Sequence, residues 1–387
     1  MHIKTKLTKI SRNPKNQNGF VNPGIYKGST IIFNSFKEYI DDLKKRDDNK
    51  VKYGIHLNPS FKQLESAISF LYNAKDTVIA PTGLSAITIP FLAYLKKGDE
   101  VLITDSVYNP TRTFCENILK NFDIKIKYFH PTNYKNFNNL INKKTKLIFL
   151  ESPGTATFDI MDIPKITNIA KRKKIITILD NTWASPIFCQ PFNLGIDIIV
   201  DAGTKYINGY SDVLIGFVSS RKQQDAKIIR STIKSLGIIP GSEEVYLSMR
   251  GITTLHVRIK EIEKNAINLA KKLSNHKLIS KVYHPALPSM KNHVIWKRDF
   301  SGSTGLFAFE FKKKYSNNTL EKFYKKLKIF KIGYSWGGYG SLITFPPLDK
   351  RKRRNLRTGT IVRIYCGLED SKDQIKDIFN AIKILNQ

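Results

Sequence analysis

Cysteine is scarce in this chain. Only three of its 387 residues are cysteines, Cys115, Cys189 and Cys366, and their spacing matches no metal-ligand pattern. An odd number of widely spaced cysteines argues against a disulfide framework and favours a reducing compartment. We therefore expect a cytoplasmic protein without a metal site, in which the cysteines serve as packing residues.

Long apolar runs are absent as well. A membrane-spanning helix needs roughly 18 or more apolar residues, and no segment of the sequence supplies them. The segment Met1 to Asn18 is basic but lacks the apolar stretch of a secretory signal peptide, so we expect no removable targeting segment and no membrane partner. Internal repeats and low-complexity segments are also missing. With 41% hydrophobic residues, the chain is long enough for a large core and more than one domain.

Acidic residues are few relative to basic ones. The chain has 32 Asp and Glu against 64 Lys and Arg, a formal net charge of +32, which raises the hypothesis of nucleic-acid binding. The basic residues are spread from Lys4 to Lys383 among Asn and Ile, and only Lys350 to Arg354 form a dense cluster. We attribute most of this charge to solvated surface and expect only weak, salt-sensitive affinity for polyanions. A nucleic-acid-binding protein without catalysis is the remote alternative.

The sequence does contain a regular alternation of short apolar runs with helical patterns. The strand-like runs are Thr77–Ala80, Val101–Thr104, Ile124–Phe129, Lys146–Leu150, Ile175–Leu179, Ile196–Val200 and Val213–Ser219. This alternation predicts an α/β fold with a mostly parallel, seven-stranded sheet covered by helices on both faces.

Two further regions flank the predicted sheet. Residues 1–57 form an arm rich in turn residues, and a smaller α/β domain follows about Gly251, where Thr254–Ser274 is predicted as one long helix. The runs Gly305–Phe311 and Ile361–Cys366 are predicted strands of that domain. We predict an arm at 1–57, a large domain at 58–252 and a small domain at 253–387.

Two of the apolar runs lead to residues with complementary chemistry. The run Ile196–Val200 ends shortly before Lys205, and the run Ile175–Leu179 ends directly before Asp180. Because ligands of open α/β sheets bind at the carboxyl ends of the strands, the lysine and the aspartate should converge there. Pyridoxal phosphate needs both, a lysine amine to condense with its aldehyde and a carboxylate against its pyridine nitrogen. Either residue alone would more simply be a solvated strand end.

Other strand ends point to the same edge. Thr82, Gly83 and Leu84 follow the run Thr77–Ala80 and open a helical pattern, and a helix N-terminus is a favourable place for a phosphate. An ordinary turn capped by Thr82 would have the same sequence. Tyr108 follows the run Val101–Thr104, where its ring could stack on a pyridine or simply pack.

These segments together resemble the Cys/Met-metabolism family of fold-type I pyridoxal-phosphate enzymes. The matching stretches are Val21-Asn-Pro, Ser29-Thr, Glu151-Ser-Pro-Gly-Thr with Phe158, Asp180-Asn-Thr-Trp-Ala, Thr204-Lys-Tyr with Ser211-Asp, His284-Pro-Ala-Leu-Pro, Trp296 to Phe307, Tyr334-Ser-Trp-Gly-Gly-Tyr, Ile361-Val-Arg-Ile and Gly367-Leu-Glu-Asp. Glu151-Ser-Pro-Gly and Ser335-Trp-Gly-Gly-Tyr resemble the β-lyase branch, whereas γ-synthases and γ-lyases usually carry Glu-Ser-Pro-Thr-Asn-Pro and Ser-Leu-Gly-Gly.

The resemblance implies a function and an assembly. The expected cofactor is pyridoxal 5'-phosphate, the expected substrate an amino acid, and the expected reaction β-elimination at the carbon–sulfur bond of cystathionine. That reaction yields homocysteine, pyruvate and ammonia and serves methionine biosynthesis. The nearer alternative is a sibling activity, a γ-synthase, a γ-lyase or a cysteine desulfhydrase. Family members form tetramers of paired dimers, so we expect a homotetramer whose arm contacts the neighbouring subunit.

The resemblance also assigns roles to single residues. Lys205 would bind the cofactor and transfer protons, and Tyr108 would stack on the ring and assist. Arg363 would grip the substrate carboxylate with its planar fork. The remaining assignments are Asp180, Thr82, Gly83, Leu84, Thr204 and Tyr53 as cofactor contacts, with Ser335 and Trp336 as substrate contacts.

The chain departs from the family pattern at several phosphate and pocket positions. Where members carry Tyr-x-Arg, this chain has Tyr53-Gly-Ile55 followed by His56. A charge-assisted contact, worth about 1.5–3 kcal/mol, is therefore missing, and weaker cofactor affinity is expected unless His56 or other groups replace it. Further departures are Ala202 for a serine, Tyr210 for a histidine and Gly340 for a glutamate.

Overall fold

The computed structural model describes residues 2–10, 12–44, 53–54, 58–133, 137–346 and 359–386. Ile55 and His56, which replace the expected phosphate contact, and the basic cluster Lys350 to Arg354 lie outside the described residues. The hypotheses about them stay sequence predictions.

Seven strands form the larger sheet, which confirms the predicted fold class. They are β1 Asp76–Ala80, β2 Glu100–Thr104, β3 Lys125–Phe129, β4 Thr145–Glu151, β5 Ile176–Asp180, β6 Ile198–Asp201 and β7 Gly216–Ser220. Their order in the sheet is β1-β7-β6-β5-β4-β2-β3. Strands β6, β5, β4, β2 and β3 pair in parallel, whereas β7 is antiparallel to both of its neighbours. The parallel strands therefore bring their carboxyl ends to one edge, as predicted.

Helices cover both faces of this sheet. In chain order, the helices of this part of the chain are α1 Ile3–Leu7, α2 Phe36–Lys44, α3 Pro59–Tyr72, α4 Gly83–Tyr94, α5 Asn109–Asn117, α6 Phe137–Leu140, α7 Ile163–Arg172, α8 Ser185–Phe188, α9 Gln223–Leu236 and α10 Ser242–Ser274, with 3-10 turns at Pro14–Asn16, Leu119–Phe122 and Pro191–Leu194. Helix α2, in the arm, has no buried residue. Leu179 and Ile199 join the apolar cluster on the α3 face, and Ile178 and Val200 join the cluster on the α4 face. Alternate residues of β5 and β6 thus point to opposite faces, which explains their continuous apolar runs.

Helix α10 is longer than the sequence predicts. It begins at Ser242 rather than Thr254 and crosses the predicted domain boundary between residues 252 and 253. Gly251, which suggests a break in the sequence, lies inside the helix, where a Cβ atom would come within 2.3 Å of the Asn208 carbonyl oxygen. The glycine therefore allows the helix backbone to approach the loop that follows Lys205.

The smaller sheet has five strands in the order β10-β11-β12-β9-β8. They are β8 Ile279–Tyr283, β9 Leu306–Phe311, β10 Lys331–Ile332, β11 Leu342–Thr344 and β12 Ile361–Tyr365, accompanied by α11 His293–Asp299, α12 Asn317–Lys326, α13 Ser371–Lys383 and a 3-10 turn at Ile384–Asn386. Strands β9 and β12 confirm the predicted runs. In β12, Arg363 is partly exposed between the buried residues Val362 and Ile364.

The described part of the arm exposes large apolar side chains. Phe20, Ile32 and Phe36 are 73%, 86% and 78% exposed.

All three cysteines are buried and free. Within the described ranges, the structure contains no helix that is both long and apolar enough to cross a membrane.

Candidate active site

A cavity of about 280 Å³ lies at the carboxyl edge of the large sheet, where residues of the small domain face it. The predicted site residues that line it are Thr82, Gly83, Leu84, Tyr108, Asp180, Thr204, Lys205, Ser335, Trp336 and Arg363. Tyr53 does not line it. It lies 49% exposed in the arm, in an isolated bridge with Thr30, and its predicted contact with a neighbouring subunit stays a prediction.

Lys205 reaches the cavity from the loop after β6. Its Nζ donates a hydrogen bond to Ser335 Oγ at 2.6 Å and lies 5.5 Å from the centroid of the Trp336 ring. Burial, and then the positive charge of Arg363, lower the pKa of Lys205 to about 8, while Asp180 acts in the opposite direction. A substantial fraction of this amine is therefore neutral, and so nucleophilic and basic, near physiological pH.

Asp180 ends strand β5 and faces the same cavity. Its Oδ1 accepts hydrogen bonds from the Thr182 backbone N–H at 3.0 Å and the Thr182 hydroxyl at 2.5 Å. Burial raises the pKa of Asp180, opposed by the Thr182 hydrogen bonds and the charge of Lys205. Within the described residues, Oδ2 accepts no hydrogen bond. A partly buried carboxylate with one open oxygen is suited to a protonated ring nitrogen, whose charge would offset the cost of its desolvation.

The N-terminus of α4 forms a cradle beside these groups. Thr82 and Ser85 cap the helix reciprocally, at 3.0 Å from the Ser85 N–H to Thr82 Oγ1 and 2.9 Å from the Thr82 N–H to Ser85 Oγ. The cap leaves the N–H groups of Gly83 and Leu84 available to donate hydrogen bonds to a phosphate. A Cβ atom on Gly83 would lie 2.4 Å from Ala202 Cβ, so glycine is required where helix and loop meet.

Thr204 lines the cavity, but its hydroxyl also stabilises the loop between β6 and β7. Its Oγ1 accepts a hydrogen bond from the Ile215 N–H at 2.9 Å and donates to the Ile215 carbonyl at 3.2 Å. The N–H groups at the start of α4 fit the phosphate of the cofactor predicted from the sequence, whereas the Thr204 hydroxyl is already bonded to Ile215.

Ser335 connects the two cationic side chains of the cavity. Its hydroxyl accepts from Lys205, and its carbonyl accepts from Arg363 Nη2 at 3.4 Å. Its φ of +87° lies in a region that non-glycine residues rarely adopt, at a cost of about 1–3 kcal/mol. Burial lowers the pKa of Arg363, with Tyr108 opposing, yet a guanidinium stays charged at physiological pH.

The backbone of Tyr108 is held by the carboxylate of Glu151, which was not predicted as a site residue. Its backbone N–H donates to Glu151 Oε2 at 2.6 Å, and the Thr155 hydroxyl donates to Glu151 Oε1 at 2.5 Å. Burial, followed by the negative charges of Asp180 and Glu151, raises the pKa of the Tyr108 phenol, so it remains protonated at neutral pH. The sequence could not show this role, because it depends on the register that pairs Glu151 with Asp180 at the ends of adjacent parallel strands.

An apolar wall completes the cavity. It is formed by Ile87, Pro153, Phe158, Trp183, Leu214 and Leu306, which were not predicted as site residues. They come from separate loops and elements, so no local pattern could have identified them.

The described ranges contain no cluster of three or more His, Cys, Asp or Glu side chains that could hold a metal ion.

Curated relatives match nearly the full chain. A protein of Saccharomyces cerevisiae named "Putative cystathionine beta-lyase" is 43% identical over 87% of this chain and 97% of its own length. The cystathionine beta-lyase of Escherichia coli is 32% identical, covering 97% of each chain. The L-alanine/L-glutamate racemase of Wolbachia pipientis is 35% identical over 97% of this chain and 96% of its own.

The fold agrees with these matches. The crystal structure of metB from Corynebacterium glutamicum superposes with a TM-score of 0.91 at 26% identity, over 100% of this chain and 98% of that one. Residues 4–383 match the family described as Cys/Met metabolism PLP-dependent enzymes. The described site residues furnish the amine, carboxylate and phosphate cradle that such a cofactor requires. The chain therefore belongs to the Cys/Met metabolism family of pyridoxal-phosphate-dependent enzymes.

Proposed function

We propose that this enzyme is a cystathionine β-lyase. The observation that carries the proposal is the meeting in one cavity of a lysine with a pKa of about 8, the partly buried carboxylate Asp180 and the guanidinium of Arg363. The Glu151-Ser-Pro-Gly and Ser335-Trp-Gly-Gly-Tyr segments and the names of the yeast and E. coli relatives favour the β-lyase branch.

Several described residues supply contacts for the cofactor. Pyridoxal phosphate, when bound, acts as an electron sink for negative charge that develops at the substrate Cα. Asp180 would hold the ring nitrogen, and Tyr108 would contact the ring. The N–H groups of Gly83 and Leu84 would hold the phosphate, with Thr82 and Thr204 beside it. Tyr53 would serve the phosphate of a neighbouring subunit.

Substrate binding and proton transfer follow from the contacts of Ser335. Arg363, with the help of Ser335, binds the α-carboxylate in two parallel hydrogen bonds and so places Cα near Lys205. Lys205, whose Nζ is held by the Ser335 hydroxyl, removes the Cα proton as general base. It then returns a proton to the sulfur, with Tyr108 assisting, as the Cβ–sulfur bond breaks and homocysteine leaves. The three-carbon product reacts with water to give pyruvate and ammonia. Trp336 lines the part of the cavity that receives the distal end of the substrate.

Product analysis tests the proposal. Purified enzyme loaded with pyridoxal phosphate should convert cystathionine to equal amounts of pyruvate, ammonia and homocysteine, and the Lys205→Ala variant should form none. Formation of 2-oxobutyrate and cysteine would instead establish a γ-lyase. Pyruvate from cysteine but not from cystathionine would establish a desulfhydrase.

A second candidate function is amino-acid racemisation. The Wolbachia relative named as a racemase supports it, as do two proton-carrying groups in the cavity, the Lys205 amine and the protonated Tyr108 phenol. Racemisation needs Cα proton removal and return but no leaving group. Incubation of L-alanine in deuterated water distinguishes the two functions, because a racemase accumulates deuterated D-alanine, whereas a dedicated lyase leaves L-alanine unconverted.

The finer organisation is part of the same proposal. The enzyme acts in methionine biosynthesis in the cytoplasm, which the three free, buried cysteines support. It is a homotetramer whose arm, residues 1–57, contacts a neighbouring subunit. The exposed Phe20, Ile32 and Phe36 support such a contact, since apolar side chains of this size are normally covered. Residues 58–252 and 253–387 form the large and small domains.

A further inference from the structure

A second carboxylate is buried immediately behind the site. Asp201, the last residue of β6, is 3% exposed and has no ion-pair partner among the described residues. Burial raises its pKa to about 7; the hydrogen bond from Tyr72 lowers it, and the charge of Asp180 raises it further. Burial of an unpaired carboxylate is costly, so its presence beside a functional site calls for a role.

Tyr72 of α3 determines the surroundings of Asp201. Its hydroxyl donates to Asp201 Oδ2 at 2.5 Å and accepts from Asn181 Nδ2 at 3.2 Å. The pKa values of Tyr72 and of the neighbouring Cys189 thiol are both raised by burial, so these two groups stay neutral. Among Tyr72, Cys189 and Asp201, Asp201 is therefore the group that can carry a negative charge.

Backbone and side-chain contacts join Asp201 to Asp180. Asp180 pairs in register with Val200, which places Asp201 one residue further along the adjacent strand. The Asn181 N–H donates to the Val200 carbonyl at 2.9 Å, and the Ala202 N–H donates to Thr182 Oγ1 at 2.9 Å. The same Thr182 hydroxyl donates to Asp180 at 2.5 Å. The two carboxylates are therefore held in one rigid hydrogen-bonded unit.

We propose that Asp201 is a positioning residue for the cofactor, a second negative charge that strengthens the hold of Asp180 on the protonated ring nitrogen. The inference rests on the role of Asp180 in the proposed function and adds a residue that never touches the cofactor. A negative charge at Asp201 makes a proton at the ring nitrogen more favourable, because Asp201 is 3% exposed and solvent therefore screens its charge only weakly. Removal of that charge should weaken the contact to the nitrogen and leave the phosphate contacts unchanged.

The test compares two ligands of the full-length apoenzyme at pH 8, pyridoxal phosphate and its analogue with carbon in place of the ring nitrogen. The wild type should prefer pyridoxal phosphate. Asp201→Asn, which keeps an acceptor for Tyr72, should lose about tenfold in affinity for pyridoxal phosphate and none for the analogue. A matched control is Asp225→Asn, because Asp225 is also buried and accepts from a tyrosine, Tyr94, at 2.7 Å, but does not line the cavity.

Each other outcome is informative. Equal losses for both ligands, or an unchanged preference in Asp201→Asn, would overturn the inference and leave the role of Asp180 intact. A wild type that binds both ligands equally would overturn the role of Asp180 as well. If Asp201→Asn does not fold, Tyr72→Phe replaces it, since loss of the hydroxyl disfavours the Asp201 anion. That variant should also lose preference for pyridoxal phosphate, and full retention of the preference would overturn the inference.

Discussion

The lowered pKa of Lys205 gives a direct prediction about cofactor capture. Only a neutral amine attacks the aldehyde of pyridoxal phosphate, and the site lowers the pKa of Lys205 from 10.5, the ordinary value of lysine, to about 8. At pH 7 the neutral fraction is then roughly 10%, against roughly 0.03% for an ordinary lysine, a difference of about 300-fold. The apoenzyme should therefore capture the cofactor efficiently at neutral pH.

Stopped-flow absorbance measures this capture as a function of pH. The rate should rise with pH and level off with a midpoint near 8, while the reaction of N-acetyl-lysine, as reference, rises at much higher pH. Arg363→Met should move the enzyme's midpoint upward, because the positive charge of Arg363 is the second cause of the shift after burial. The exposed Arg172, at the end of α7, provides the control Arg172→Met, which should change nothing. A midpoint above 10, or no effect of Arg363→Met, would refute this account of the site.

Four further predictions concern single residues. Lys205→Ala should abolish turnover but retain some non-covalent cofactor after dialysis, because Asp180 and the phosphate cradle persist; near-normal pyruvate formation would contradict the mechanism. Arg363→Ala should raise KM for every amino-acid substrate, and Arg363→Lys should not rescue it, because an ammonium lacks the planar fork; unchanged KM values would make the residue structural. Gly83→Ala should lower the free energy of unfolding by about 1–3 kcal/mol and weaken cofactor binding, since the new methyl group collides with Ala202 Cβ. Calorimetry would measure the stability and titration the cofactor affinity, and wild-type values of both would show that Gly83 and Ala202 are not closely packed. The apoprotein should lose stability as pH rises from about 4 to 7, because Asp201 has a higher pKa in the native state than in the unfolded state. Asp201→Asn should remove this pH dependence, which amounts to at most about 4 kcal/mol. The same dependence of unfolding free energy on pH in the wild type and in Asp201→Asn would disprove the prediction.

Local pattern was sufficient for the strands of the large sheet. Each predicted run became a strand because an apolar run of a few residues between turns is stable only when both faces are covered. The sequence also placed Lys205 and Asp180 at one edge, since parallel strands end together. For β7, the same pattern identified a strand but not its direction, because an apolar run contains no information about whether its neighbours run parallel or antiparallel to it.

Contacts between distant segments decided the features that the sequence could not show. Gly251 suggested an interruption, yet it lies within α10, because the helix needs a residue without a side chain where it meets the backbone at Asn208. Ser335 was predicted as a substrate contact, but its hydrogen bonds to both Lys205 and Arg363 depend on how the small domain faces the sheet.

The carboxylates illustrate the same division. Asp180 was recognised because a motif surrounds it, whereas Glu151 and Asp201 acquire meaning only from register and burial. Glu151 lies beside Asp180 through strand pairing, and Asp201 ends the strand on the other side of Asp180, against Tyr72, which is 129 residues away in the sequence. Residue type and spacing thus predicted the sheet and, with the family resemblance, the cofactor and most of the residues that line the cavity. The tertiary structure alone decided which charges are desolvated and close together, because pKa shifts depend on distance and dielectric surroundings rather than on sequence order.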